Sequence, residues 1–169
     1  MKRTILIFGL ISGAIISGTM LASVPFITAD NMKRGEVFGY TGIVLGALLV
    51  FFGVRSYREN VAAGRMSFGR GLAVGVLIAL VSSLCYVATW EILYFGVMPG
   101  IGDKVAACMV DRVKASGGSQ EQVDAMVAQT DTYKKLWANP LTNVAVTLIE
   151  PFPIGFAAAL LSAAFLRRK

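Results

Sequence analysis

The 169-residue sequence has no histidine and only two cysteines. A zinc site would have to use Cys85, Cys108 and carboxylates, without any of the usual ligand spacings. Cys85 lies in an apolar run and Cys108 in a polar segment, so the pattern indicates two unpaired thiols rather than a disulfide. A serine–histidine pair and a nucleotide-binding fingerprint are also absent. An intramembrane protease or lipid transferase built on two glutamates is conceivable, but we expect neither an enzyme nor a cofactor.

Charge is scarce as well, at 15% of the residues against 56% hydrophobic ones. This balance is typical of an integral membrane protein rather than a soluble domain. The formal net charge is +6, and the basic residues lie at the ends of apolar runs. We therefore expect contacts with the lipid bilayer and its anionic head groups, and none with nucleic acid.

Four long apolar runs predict transmembrane helices at about 4–28, 36–57, 67–98 and 140–166, because roughly 20 apolar residues are enough to cross a bilayer. A signal peptide is the alternative for the first run. That run exceeds the usual apolar core of about 7–15 residues and has Ile27 where a small residue precedes a cleavage site. We therefore predict a single all-α domain over 1–169, a four-helix transmembrane bundle.

Small residues recur at four-residue spacing in three of these runs: Gly9, Gly13 and Ser17; Gly42 and Gly46; Gly71 and Gly75. Such spacing lets two helix backbones approach closely. It is also common in apolar helices by composition alone, so both interpretations stay open for the first run. Ser67 is a candidate N-cap for the third helix.

The segment 101–139 differs from the rest because it is rich in charge and glutamine. Apolar residues recur there at helical spacing in two blocks: Val105, Cys108, Met109 and Val113, then Val123, Met126, Val127 and Tyr133. Gly117 and Gly118 separate the blocks, and Ser119 with Gln122 fits a capping box. The pattern predicts an extramembrane helical hairpin between transmembrane helices 3 and 4. We expect Met109, Val113, Met126 and Val127 to pack between its helices and against the bundle.

Arginine and lysine counts give the orientation. The side with both termini holds nine: Lys2, Arg3, Arg55, Arg58, Arg65, Arg70, Arg167, Arg168 and Lys169. The other side holds seven: Lys33, Arg34, Lys104, Arg112, Lys114, Lys134 and Lys135. Within the short segments alone the split is nine to two. This asymmetry predicts that both termini are cytoplasmic and that the hairpin lies on the opposite side.

Two glutamates lie within apolar runs, Glu91 after Trp90 and Glu150 before Pro151 and Pro153. A carboxylate at mid-bilayer costs about 2.5 kcal/mol or more to insert, so each residue needs a reason to be there. The prolines remove backbone donors and predict a helix break at Val146–Ile149. Counted from the same side, the carboxylates lie at depths of roughly 10 and 15 Å and could approach each other. Glu91 and Glu150 therefore indicate one of two roles. Either each carboxylate caps a helix or bonds to backbone groups, or the two belong to a proton or cation pathway.

A second set of candidates is basic: Arg55, Arg58, Arg65 and Arg70 surround the link between helices 2 and 3. The positive-inside rule makes them topology signals and lipid head-group contacts. A site for an anionic ligand is the alternative, but no glycine-rich phosphate loop accompanies them.

Several strings resemble the bacterial domain of unknown function 4199 family: Arg55-Ser-Tyr-Arg58, Trp90-Glu91 and Glu150-Pro-Phe-Pro153. The resemblance covers nearly the whole chain and implies a small multi-pass membrane protein of bacteria. Together with the charge asymmetry, we expect it in the inner membrane, with the hairpin in the periplasm. It implies no activity. We expect a structural or accessory protein that binds a membrane-protein partner or forms a homo-oligomer. The alternative is an oligomeric ion-coupled carrier or channel subunit that uses Glu91 and Glu150.

Overall fold

The computed structural model describes residues 1–28 and 30–167, and every regular element in them is helical. Arg168 and Lys169, two of the charges used for the orientation, lie outside the described residues, as does Ala29. The helices are α1 Lys2–Ser23, α2 Met32–Asn60, α3 Phe68–Glu91, α4 Ile101–Ala115, α5 Gln120–Ala138, α6 Pro140–Leu148 and α7 Pro151–Leu166. A 3-10 turn, Val24–Phe26, extends α1, and a π-helical turn, Ile92–Val97, extends α3.

Four stretches are long and apolar enough to cross a membrane: Lys2–Phe26, Met32–Asn60, Phe68–Val97 and Pro140–Leu166. The prediction of an all-helical chain with four such stretches is confirmed. The predicted bounds differ from these by four residues or fewer. Composition and run length were sufficient because a spanning helix must be apolar over its whole length.

Glycines let these helices pack at short range around α3. A Cβ at Gly13 would lie 2.6 Å from the Cβ of Cys85, and one at Gly75 would lie 2.7 Å from the Cβ of Ala159. Both distances are too short for real carbon atoms, so only glycine permits these contacts. The close approach predicted from the small-residue spacing is therefore confirmed, and the approach occurs inside the molecule.

The half of the bundle that contains the start of α1 is filled with apolar side chains, among them Val50, Val54, Val74 and Ile78, none more than 1% exposed. Between this apolar half and the other half of the bundle, two hydroxyl groups are in contact: Ser12 Oγ lies 2.8 Å from Ser82 Oγ. Beside this contact lies a cavity of about 10 Å³, about the room that one water molecule needs. The bundle is therefore tightly packed around Ser12 and Ser82.

The helices α4 and α5 follow the end of α3 and contact each other. Gly117, with a φ of 76°, turns the chain between them. The capping box is present, since Ser119 Oγ accepts from the Gln122 backbone at 3.3 Å and the Gln122 side chain accepts from Ser119 N–H at 2.9 Å. Lys134 Nζ lies 2.9 Å from Asp103 Oδ1. This ion pair joins the end of α5 to the start of α4, so the two helices are antiparallel.

The last apolar stretch is broken at the end of the range Val146–Ile149 in which the prolines predict it. The helix α6 ends at Leu148, Ile149 and Glu150 form a turn, and α7 begins at Pro151. Proline has no backbone N–H to continue the ladder, which explains the break at this point. Glu150 is thereby held between two helices rather than on the side of one.

Candidate binding cavity at the α4 end of the bundle

A cavity of about 440 Å³ lies at the end of the bundle that carries α4. The last turn of α1 and the 3-10 turn line one side, and the first turns of α2 line another. The remaining wall comes from α3, α4 and the turn between α6 and α7. Its polar side chains are Ser23, Glu36, Tyr40, Tyr86, Arg112 and Glu150.

Glu150 reaches this cavity from the proline-generated turn. Its Oε2 accepts a hydrogen bond of 2.7 Å from the Tyr86 hydroxyl. Tyr86 is 9% exposed, so α3 holds its ring firmly, whereas Glu150 is open to the cavity. The break predicted from Pro151 and Pro153 thus places a carboxylate at the wall. Pro151 itself is buried and Pro153 is exposed.

The opposite wall carries an ion pair. Arg112 Nη1 on α4 lies 2.6 Å from Glu36 Oε1 near the start of α2. Both side chains are about 40–45% exposed, and pairs of this kind contribute at most about 1 kcal/mol to stability. The pair joins α4 to α2 across the cavity. Neither residue is recognisable as a site member from the sequence, because 76 positions separate them and no local pattern joins them.

Beside Glu150 a polar stripe of α6 lies against α3. Asn143 is fully buried, and its Oδ1 accepts from Trp90 Nε1 at 2.9 Å and from Thr147 Oγ1 at 3.1 Å. Its Nδ2 donates to the Trp137 carbonyl at 3.0 Å. Asn143 and Thr147 were missed, although with Glu150 their spacing of four and three residues marks one helix face. Trp90, a predicted site residue, helps to position α6.

Glu91 has a different environment. It is half-buried, and its Oε1 is inaccessible and has no hydrogen-bond partner within residues 1–28 and 30–167. Five residues separate it from Tyr86, which on an α-helix directs it about 140° away from the tyrosine. Since Glu150 bonds to Tyr86, Glu91 projects from a different face of α3 than the one that Glu150 contacts. No hydrogen bond joins the two carboxyl groups among the residues that the structure describes. The structure brings Glu150 to Tyr86 rather than to Glu91.

The basic candidates lie at the other end of the bundle, around the link between α2 and α3. Arg55 Nε and Arg58 Nη2 contact Glu59 Oε1 at 3.0 and 3.1 Å. Arg65 and Arg70 are exposed, and no ion pair involves them in the part of the chain that the structure describes. Arg55, Arg65 and Arg70 therefore form an exposed basic rim, and Arg58 is half-buried beside it.

Neither cysteine is in a disulfide, as the sequence predicts: Cys85 is half-buried and Cys108 is buried. Over the described residues, no three histidine, cysteine, aspartate or glutamate side chains are grouped so that they could hold a metal ion. The cavity offers carboxylates, one guanidinium and tyrosine hydroxyls. These groups can bind and orient a ligand by charge and hydrogen bonding.

The fold and cavity define a class, namely small all-helical proteins with four apolar helices long enough to cross a membrane and a polar cavity at one end. Over residues 7–168 the sequence matches the family described as protein of unknown function, DUF4199, and the chain belongs to this family. The family resemblance of the sequence is thereby confirmed. No curated protein and no solved structure matches the chain.

Proposed function

We propose that the chain is an accessory protein of the bacterial inner membrane that binds a membrane-protein partner on its periplasmic side. Four apolar stretches supply the transmembrane bundle. The nine-to-two split of basic residues in short segments supports cytoplasmic termini. The helices α4 and α5 then form an extramembrane hairpin in the periplasm. The exposed basic rim around Arg65 and Arg70 then lies at the cytoplasmic head groups, where it contacts anionic lipid.

One observation carries the partner-binding role: the α4–α5 pair leaves an open groove. The groove has a volume of about 450 Å³ and lies between the two helices and the start of α2. Its apolar lining includes Met109, Val113, Met126 and Tyr133. Met109, Val113 and Met126 are half-buried, and Val127, which was also predicted to pack there, is 40% exposed. The helix α5 packs against both α4 and α6, and the groove opens towards the start of α2, where Glu36 lies.

An apolar groove between helices is a common docking site for the apolar face of a partner helix. Methionine suits such a role because its unbranched side chain adapts to different shapes. Two methionines in this groove therefore favour a protein partner over a tightly packed internal role. A second copy of the chain is the other occupant that such a groove admits.

Site-specific photocrosslinking in native membranes tests this role. A photoreactive residue at Met126 should give one discrete protein adduct, whereas the same residue at exposed Ala128, two positions away on the other face of α5, should give none. The mass of the adduct distinguishes a partner from a second copy. Lipid adducts alone at Met126, or the same products at both positions, would contradict a protein-binding groove.

The second candidate function is an oligomeric ion-coupled carrier or channel subunit. Two observations favour it, namely the partnerless Oε1 of Glu91 and the cavity around Glu150. The tight packing around Ser12 and Ser82 argues against a pathway through one chain, so an oligomer would have to form it. Flux into proteoliposomes that is lost in Glu91→Gln or Glu150→Gln would establish this role. Equal flux in empty liposomes would reject it.

A further inference from the structure

The cavity at the α4 end carries unbalanced charge. Two carboxylates and one guanidinium line it. Arg112 is already bound to Glu36. Glu150 accepts only the Tyr86 hydrogen bond in the described part of the chain and belongs to no ion pair there. One negative charge on the wall is therefore left without a cation.

The rest of the wall is suited to an organic cation. Phe26, Tyr40 and Tyr86 contribute aromatic surface, and Met109 contributes a polarizable apolar side chain. Aromatic faces attract ammonium groups through the ring quadrupole, and a carboxylate adds a directional charge. The volume of about 440 Å³ falls within the range of small-molecule sites, roughly 300–1,000 Å³.

The same wall is unsuited to an anion. A helix N-terminus normally offers backbone N–H groups to an anion. At the start of α7 two of these positions are Pro151 and Pro153, which have no N–H. The residue before them, Glu150, already places a carboxylate there. The ligand that this cavity complements is therefore positively charged.

We propose that the cavity binds a monovalent organic cation with an apolar body, and that its ammonium group lies against Glu150 and the hydroxyl of Tyr86. Two sources supply this chemistry: a free amphiphilic cation, or the ammonium head group of a neighbouring lipid such as phosphatidylethanolamine. The site is distinct from the groove that contains Met126, although Glu36, Met109 and Arg112 border both.

Calorimetric titration of the purified full chain with benzyltrimethylammonium tests the site. A non-ionic detergent is needed, because zwitterionic detergents carry a competing ammonium group. We expect saturable binding, no binding of benzenesulfonate, and affinity weakened at least about tenfold (about 1.4 kcal/mol) by Glu150→Gln. Glu121→Gln, at an exposed acid in the first turn of α5, should leave the affinity unchanged. Equal affinity in the wild type and Glu150→Gln overturns the proposal.

A second variant tests the cation site even if Glu150→Gln does not fold. Arg112 is on the exposed side of α4, so Arg112→Gln should fold. It removes the positive charge and leaves two carboxylates facing the ligand. The affinity for benzyltrimethylammonium should then rise, by up to about fivefold for a partly exposed charge. Unchanged or weaker binding in Arg112→Gln would refute a cation site.

Lipid nanodiscs distinguish the two sources. If a lipid head group occupies the cavity, benzyltrimethylammonium should bind more weakly in discs rich in phosphatidylethanolamine than in discs of phosphatidylglycerol alone. If the natural ligand is a free cation, both discs should give the same affinity at an ionic strength high enough to screen the phosphatidylglycerol surface charge. Binding that persists unchanged in Glu150→Gln in both discs would reject either source.

Discussion

Replacing Asn143 by leucine should destabilise the contact that holds α6 against α3. The change removes one acceptor and one donor that together make three hydrogen bonds, to Trp90, Thr147 and Trp137. Side-chain hydrogen bonds in membrane proteins contribute on average about 0.6 kcal/mol each, so the loss should be roughly 2 kcal/mol. Leucine has a similar volume, which keeps the contribution of a new cavity small. Since Asn143 is fully buried, solvent cannot replace the lost partners.

Equilibrium unfolding in mixed micelles, followed by far-ultraviolet circular dichroism, measures this loss. A double-mutant cycle with Trp90→Phe isolates one bond, and we expect a coupling energy between about 0.6 and 1.7 kcal/mol. The control is Asn60→Leu, because Asn60 is exposed and bonds only within its own helix. It should change the free energy of unfolding by less than about 0.5 kcal/mol. Strictly additive effects of Trp90→Phe and Asn143→Leu would refute the hydrogen-bonded contact.

Three further outcomes can be measured on the same protein. Gly75→Ala should destabilise the bundle by about 1–3 kcal/mol through overpacking, because the new Cβ would lie 3.0 Å from a backbone atom of α7. The control is Gly18→Ala, where the new Cβ has open space, and it should be neutral or stabilise by up to about 1 kcal/mol. The hydrogen bond with Asp103 raises the pKa of Lys134. This bond should therefore stabilise the α4–α5 contact fully below the unfolded pKa of lysine, about 10.4, and the stabilisation should be lost as the pH rises through the higher folded pKa. The Asp103→Asn variant should not show this pH dependence. An impermeant maleimide should label Ser119→Cys in a cysteine-free background on intact spheroplasts; labelling only after lysis would reverse the proposed topology.

The elements of this fold were predictable because their signals are local. The capping box at Ser119 and Gln122 and the break at Pro151 each depend on a few consecutive residues, and the structure contains both. The close packing at Gly13 and Gly75 was also predictable in kind, since small residues at four-residue spacing leave room for another backbone. The partner helices were not, because nothing in the spacing says which neighbour fills that room.

The site was less predictable because it depends on long-range pairing. The contact between Glu36 and Arg112 joins residues 76 positions apart, and neither residue lies in a pattern that distinguishes it from a solvated charge. The π-helical turn Ile92–Val97 carries no recognisable local signal either. Asn143 and Thr147 could have been found, since polar residues on one face of an apolar helix need buried partners.

The predicted approach of Glu91 to Glu150 took account of depth along the helices but not of direction around them. Residue count gives depth, and by depth Glu91 and Glu150 are close. Direction around the helix also matters, and in direction Glu91 and Glu150 are apart. The face of α3 that meets Glu150 carries Tyr86 and, four residues further on, Trp90. Glu91 is one residue beyond Trp90, so it is rotated by about 100° from that face. Direction around α3 therefore explains why Glu150 bonds to Tyr86, and similar depth does not bring it to Glu91.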